Sequence, residues 1–366
     1  MKFINKLTAL AVLAALLLTS CSVFNKDSES TKSKGSVVGN STDKIAVDIS
    51  REKAVFKSND VKELVADLLN KDSASLTYGD LNQIIGFDLY FYSERVNNTN
   101  EYKPVWSVTV KKSGFDEVFD KYYGVPSEER QNLENPANYY RNGQFDSFDG
   151  YEDLKYFTAL TELSLSSEYM LAEFDPSVFF ENLTGLENLS VYNYVIPNLD
   201  RIGKFTKLRQ LSIGINLRSV PDGVQIEYIE DMTPLKNLTL LENLSLNGNI
   251  ISDLSPITGL DKITDLTITN AALGDISPVA EMKNLKTVTF YYNGIEDITP
   301  LTKIPGLEII NLDYNYINDV SPFANLDPEV VKYVSLDMNG ITDDTPLKHL
   351  GKERINLGYD PYWDIE

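Results

Sequence analysis

The side chains able to do covalent or acid–base chemistry are few in this chain and badly placed for it. The 366 residues include one cysteine, Cys21, and one histidine, His349. Cys21 lies in the first apolar stretch, and His349 near the opposite end, in Leu347-Lys348-His349-Leu350. A nucleophile–imidazole pair, or a histidine-ligated zinc, needs several such groups to converge. No second cysteine or histidine exists to meet that need. Paired carboxylates could hydrolyse a glycosidic bond, but with 54 acids in the chain such pairs arise by chance. The aspartates Asp253, Asp275, Asp297, Asp319 and Asp343 each stand two residues before a Ser-Pro or Thr-Pro pair. That regularity assigns them to a turn rather than a metal. The sequence therefore reads as non-enzymatic, with no cofactor and no metal.

The remaining chemistry is recognition. Tyr192, Asn193, Asn247, Tyr291, Tyr292, Asp313, Tyr314, Asp337, Met338 and Tyr359 follow apolar anchors at positions a fold does not require. Tyrosine, methionine and scattered acids on a rigid surface are the composition of a protein-binding face. Tyrosines also stack on sugars, so a carbohydrate is the alternative ligand. The net charge of −21 excludes nucleic acid, which needs a clustered basic face, and suits a basic partner.

A repeat must position these residues. Leu244, Leu266, Val288 and Ile310 fall 22 residues apart, each followed two positions later by Leu246, Ile268, Phe290 and Leu312. The anchor series extends to Leu163, Leu189, Leu211, Val334 and Ile355. Such a period marks a solenoid, and Leu-x-Leu alternation marks strands with one buried face. Asn249, Asn293, Asn315 and Asn339 follow the strands where side-chain amides can satisfy backbone groups. Glu168, Tyr194, Ala271 and Asp360 leave that column weaker. Before each proline, Ser255, Ser277, Thr299, Ser321 and Thr345 read as hydroxyl N-caps. The small polar column Ser164, Ser190, Ser212, Ser245, Thr267, Thr289, Asn311, Ser335 and Asn356 allows close strand packing.

The pattern LxxLxLxxNxI followed by D-(L/I/V)-(S/T)-P resembles the leucine-rich repeat of bacterial internalin-type surface proteins, over residues 146–366. The resemblance implies an α/β solenoid with a curved parallel sheet on its concave side, short helical or 3₁₀ turns on its convex side, and an N-terminal helical cap. Residues 46–91 fit that cap. Val61, Leu64, Val65, Leu68 and Leu69 make a one-faced helix. Asp60 and Glu63 flank its start like a capping box, and Thr77 and Asp80 repeat that spacing before a second short helix. Phe87-Asp88-Leu89 reads as a strand.

Residues 92–145 break the period and read as an insertion, with a strand at Val105–Val110 and a helix at Phe115–Tyr123. A second insertion falls at about residues 217–230. The larger one is an alternative seat for specificity, with the array as a stalk.

Lys2 and Lys6, the apolar run from Leu7 to Leu18, and Leu18-Thr19-Ser20-Cys21 form a secretory signal too short to span a bilayer. The ending resembles the bacterial lipobox, which implies cleavage after residue 20 and acylation of Cys21. A diacylglyceryl cysteine carries two chains, enough for stable anchoring. Residues 21–45, the lipidated cysteine and a Ser-, Lys- and Gly-rich stretch, read as a disordered tether. Together these features predict an extracytoplasmic protein, lipid-anchored to the bacterial cell membrane through Cys21. Its concave face is expected to bind a protein of the host or of the cell's own envelope.

Overall fold

The computed structural model describes residues 50–95, 102–114, 118–124, 149–171, 175–220 and 226–358. The signal segment, Cys21, the tether, Tyr359 and Asp360 lie outside the described residues.

Helix α1 (Asn59–Leu69) begins at Ser58, whose hydroxyl accepts the Val61 N–H at 3.3 Å. It ends at Asn70 in the left-handed conformation, φ 52°. Val61, Leu64, Val65, Leu68 and Leu69 are all buried, as their spacing requires. The start differs from the Asp60–Glu63 expectation: Ser58 is the cap, and Glu63 instead accepts the Ser73 hydroxyl at 2.8 Å. Helix α2 (Tyr78–Leu81) has the expected reciprocal box between Thr77 and Asp80. Burial pushes the Asp80 carboxyl up. The Lys71 ammonium at 2.6 Å and the Thr77 donors outweigh this and hold it below its ordinary value.

Strands β1 (Ile84–Arg95), β2 (Tyr102–Lys112) and β3 (Val118–Gly124) follow. Nine repeat strands come next: β4 (Glu162–Leu171), β5 (Asn188–Tyr194), β6 (Gln210–Gly214), β7 (Asn243–Asn247), β8 (Asp265–Thr269), β9 (Thr287–Thr289), β10 (Ile309–Asn311), β11 (Tyr333–Ser335) and β12 (Ile355–Asn356). Among the described residues they form one 12-stranded sheet in the order β12-β11-β10-β9-β8-β7-β6-β5-β4-β1-β2-β3. From β12 to β1 all neighbours are parallel, whereas β1–β2 and β2–β3 are antiparallel.

β1 supplies the parallel neighbour that the first repeat strand needs, pairing Phe87 with Leu163. The described part of residues 92–145 thus contributes to the same sheet, since β1 runs on to Arg95 and β2 and β3 extend it. The helix expected at Phe115–Tyr123 is not formed: Val118–Gly124 is a strand. Phe115, Val118, Phe119 and Tyr122 have helical spacing, but Val-Phe and Tyr-Tyr pairs suit a strand, and the edge of β2 offers a ladder.

The nine anchors lie in one column, each the register partner of the next, from Leu163 to Ile355. The side chains of the anchors from Leu163 to Val334 and those two positions on belong to a core continuous from Val61 to Leu350, with Ile355 packed against it. The opposite edge of each repeat is a 3₁₀ turn, such as Ser277–Glu281 or Thr299–Lys303. The second insertion packs Val220, Ile226 and Tyr228 on Val195 and Ile215 as a satellite cluster.

Asp153 ties the cap to the array. It is fully buried and accepts the N–H groups of Lys57 at 2.8 Å and Ser58 at 2.9 Å. Burial pushes its carboxyl up, against the pull of those two donors. Asp153→Ala leaves both donors without a partner. It should destabilise the fold by about 2–4 kcal/mol in urea unfolding, with Asp153→Asn less severe because one acceptor survives.

Candidate functional site

After β5, β7, β9, β10 and β11 the chain turns inward, and at each of these turns an asparagine amide bonds to the backbone of a neighbouring repeat. Nδ2 of Asn315 donates to the carbonyls of Phe290 and Leu312, both at 2.9 Å, and its Oδ1 accepts the Ile295 N–H at 3.1 Å. Asn293 bridges the Ile268 carbonyl at 2.8 Å to the Ala271 N–H at 3.2 Å, so the Ala271 turn is held by its neighbour's amide. Asn339 and Asn249 make equivalent bonds to the Ile317 and Ile229 N–H groups. Asn193, assigned from sequence to the outward surface, belongs to this ladder instead. It is 1% exposed, donates to the Ser167 carbonyl at 2.8 Å and accepts the Asn216 N–H at 2.7 Å. The Tyr194 side chain, placed in the ladder column by counting, is buried in the core.

On the convex side the capping roles also change. The Ser and Thr hydroxyls before the prolines make no cap bond. The aspartate two residues upstream caps the turn, with Asp253, Asp275, Asp297, Asp319 and Asp343 accepting the backbone N–H at 2.8–2.9 Å. The hydroxyls of Ser255 and Ser321 donate to the second oxygen of their aspartates. In Asp275 and Asp343 this hydroxyl and then the backbone N–H hold the carboxyl below its ordinary value; in Asp319 the backbone N–H leads. A lowered folded-state value contributes stability above the ordinary carboxylate range, about pH 4, and loses it as pH falls through the lowered value. The melting temperature should therefore drop on acidification below about pH 4, and less steeply in Asp275→Ala/Asp319→Ala than in the parent chain.

His349 lies with its ring nitrogens 3.0 Å from the Pro346 carbonyl and 2.8 Å from the Leu326 carbonyl, a link between two repeats. Among the described residues, no group of His, Cys, Asp and Glu side chains is placed to hold a metal ion.

The concave face has two zones. A shallow trough of about 680 Å³ runs from β2 and β1 across β4 to β8, lined by Asp88, Lys111, the serine column, Asn188, Gln210 and Asn243. Tyr192 stands beside it, its ring close over Gly214, where a Cβ would come within 2.8 Å of that ring. Asn247 accepts a bond from the Asn270 amide at 3.3 Å.

The second zone lies over β9 to β11. Tyr292 and Tyr314 stack with ring centroids 5.4 Å apart and planes 30° from parallel, and Tyr291 packs against both at 5.8 and 5.2 Å. Tyr292, Tyr314 and Met338 remain 53%, 38% and 60% exposed. Tyr192 stands four strands from this cluster, roughly 19 Å at ordinary strand spacing. Asp313 and Asp337 are half-buried beside the tyrosines. Exposed Tyr316, Tyr333 and Ile309 extend the apolar area and were missed in the sequence. Counting two more positions along each repeat would have found Tyr316.

The backbone singles out this zone. Asn193, Gly248 and Asn270 adopt positive φ where the chain leaves the strand, at 62°, 70° and 50°. The same column then reads Tyr292, Tyr314 and Met338, at 57°, 56° and 54°. Glycine and asparagine occupy this conformation readily, whereas other side chains meet a cost of about 1–2 kcal/mol. The aromatic and thioether side chains stand where the fold itself favours smaller ones.

Sequence and structure comparisons agree with this architecture. Residues 283–325 match the family model for leucine-rich repeats in two copies. An internalin (inlF) of Listeria monocytogenes superposes with a TM-score of 0.50 at 22% identity, covering 83% of this chain and 76% of that one. Internalin C2 of the same organism gives 0.46 at 21% identity over 78% of this chain and 93% of its own. The search of curated proteins finds no match. The chain is thus an internalin-like leucine-rich repeat solenoid in fold.

Proposed function

We propose that this chain is a non-enzymatic binding protein, held outside the cytoplasm by lipid on Cys21, whose concave face docks a partner protein. The observation that carries the reading is the tyrosine shelf. Large rings stand partly exposed on a rigid sheet, in a backbone conformation that disfavours them. Residues kept in strained conformations cluster at ligand clamps and other functional sites. Stacked aromatics also present wide contact area at little entropic cost. The internalin-like fold supports a scaffold role, and the unbroken column of repeat strands offers the extended rigid surface that a protein partner needs.

Two measurements test the reading. A partner retained by the immobilised chain should be lost with Tyr292→Ala/Tyr314→Ala and kept with Asp297→Ala, a convex-side change. Retention by the tyrosine variant would move the docking site off this shelf. For the anchor, Cys21→Ser removes the acyl acceptor, so metabolic labelling of the chain with a radiolabelled fatty acid should be lost and cleavage after residue 20 should stop. Fatty-acid labelling that survives in the variant would refute lipidation of Cys21.

A further inference from the structure

We infer that the tyrosine shelf selects a cationic segment of its protein partner, seating an arginine or lysine against Tyr292 and Tyr314 and pairing it with Asp313 and Asp337. This rests on the docking reading above and adds the chemistry of the partner. The shelf and the carboxylates are joined by the backbone: the Tyr292 N–H donates to the Asp313 carbonyl at 3.0 Å, and the Tyr314 N–H to the Asp337 carbonyl at 2.9 Å. Each tyrosine therefore adjoins an aspartate of the next repeat.

The fold uses little of the acceptor capacity of those aspartates. Oδ1 of Asp313 accepts the Ser335 hydroxyl at 2.6 Å and the Asp337 N–H at 2.8 Å, which leaves Oδ2 open. The Asp337 carboxylate makes no side-chain hydrogen bond or ion pair among the described residues. A half-buried carboxylate without a cation calls for one from outside.

The rest of the face agrees. From β4 to β11 the outward positions on and just after the strands carry Glu162, Glu168, Asp265, Asp313 and Asp337, with neither lysine nor arginine. Glu162 is paired with Lys111 at 2.9 Å, and Asp265 accepts the Thr264 hydroxyl at 2.6 Å. At the strand edges Arg209 is matched by Glu187 and Glu242, and Lys332 by Glu308. Asp313 and Asp337 thus stand beside the aromatic shelf with no cation at ion-pair distance among the described residues. Ring centroids 5.2–5.8 Å apart leave no room between the tyrosines, so a cation must rest on the outer face of the stack. There it meets the ring quadrupoles and the carboxylates together, the geometry that suits guanidinium best.

The test titrates the full chain with the peptide acetyl-Arg-Gly-Arg-amide and with its uncharged citrulline isostere, following the ring resonances of Tyr292 and Tyr314 by NMR. The arginine peptide should bind at least fivefold more tightly than the isostere. It should weaken in 0.5 M salt, because these charges lie at the surface. Asp313→Asn/Asp337→Asn should abolish the preference while leaving the melting temperature unchanged, since the asparagine Oδ1 at 313 still accepts both bonds. Equal affinity for the two peptides, no binding of either, or a preference that survives the double variant would each overturn the cation assignment. Shifts produced by a neutral oligosaccharide such as chitohexaose, without any from the arginine peptide, would overturn it too. Failure of the docking reading is seen separately, as partner capture that ignores Tyr292→Ala/Tyr314→Ala.

Discussion

Tyr292→Asn combined with Tyr314→Asn is expected to remove partner binding without unfolding the array. Each tyrosine holds a left-handed backbone, φ 57° and 56°, that asparagine accepts more readily. The substitution releases about 1–2 kcal/mol per site and forfeits the ring contacts, worth about 0.5–1.5 kcal/mol per pair. These contributions nearly cancel, so the melting temperature should stay within a few degrees. Binding has no such compensation. Loss of a central aromatic anchor typically costs about 2 kcal/mol or more, so the pair should weaken the partner by at least several hundredfold if their effects add. Met338→Asn isolates the backbone effect, because Met338 is 60% exposed and its φ is 54°. It should raise stability by about 1 kcal/mol. If both variants instead lower the melting temperature sharply, the shelf is part of the scaffold and the functional reading of its strain fails.

The two kinds of residue in this comparison differ in how well the sequence exposes them. The anchors from Leu163 to Ile355 could be aligned by reading alone, and all nine pair in the register expected. A one-residue slip would turn every leucine outward, so the apolar pattern permits only one solution. The asparagine ladder was legible for the same reason wherever the repeat keeps its length. At Asn193 the chain turns inward one residue early, and counting from Leu189 lands on Tyr194, a core side chain. The left-handed preference of asparagine was the available signal, but it is local and carries no period. Turn capping was misread because Ser-Pro looks like a cap and its first helical residue. The bonding hydrogen is in fact the N–H of that serine, so the acceptor lies two residues upstream in aspartate. The tyrosine positions were visible, but their strain was not, since sequence does not report φ. The strands β2 and β3 were obscured by helical spacing in a segment whose conformation is set by the sheet edge it joins.

Asn315→Ala should be the most damaging single change in the ladder. Its amide holds the Phe290 and Leu312 carbonyls and the Ile295 N–H, and the side chain is only 5% exposed. Alanine leaves these groups without their partner in a space that water reaches poorly, and a buried polar group left unpaired costs about 1–3 kcal/mol. The Leu312 carbonyl is also approached by the Asn339 amide at 2.9 Å, so one of the three retains a partner. The expected loss is therefore about 3 kcal/mol rather than the full sum. Asn339→Ala should cost less, because that side chain is half-buried and water can replace it. Asn249→Ala should also cost less, because its bonds are to the Ile229 N–H and, at 3.2 Å, the Asn247 carbonyl. In a solenoid each such loss weakens one interface between neighbours. Asn315→Ala should accordingly broaden the urea transition as well as shift it, the repeats from β10 onward opening first in hydrogen exchange. Equal small effects at Asn249, Asn315 and Asn339 would mean that strand pairing and the leucine core, not the amide clamps, hold successive turns in line.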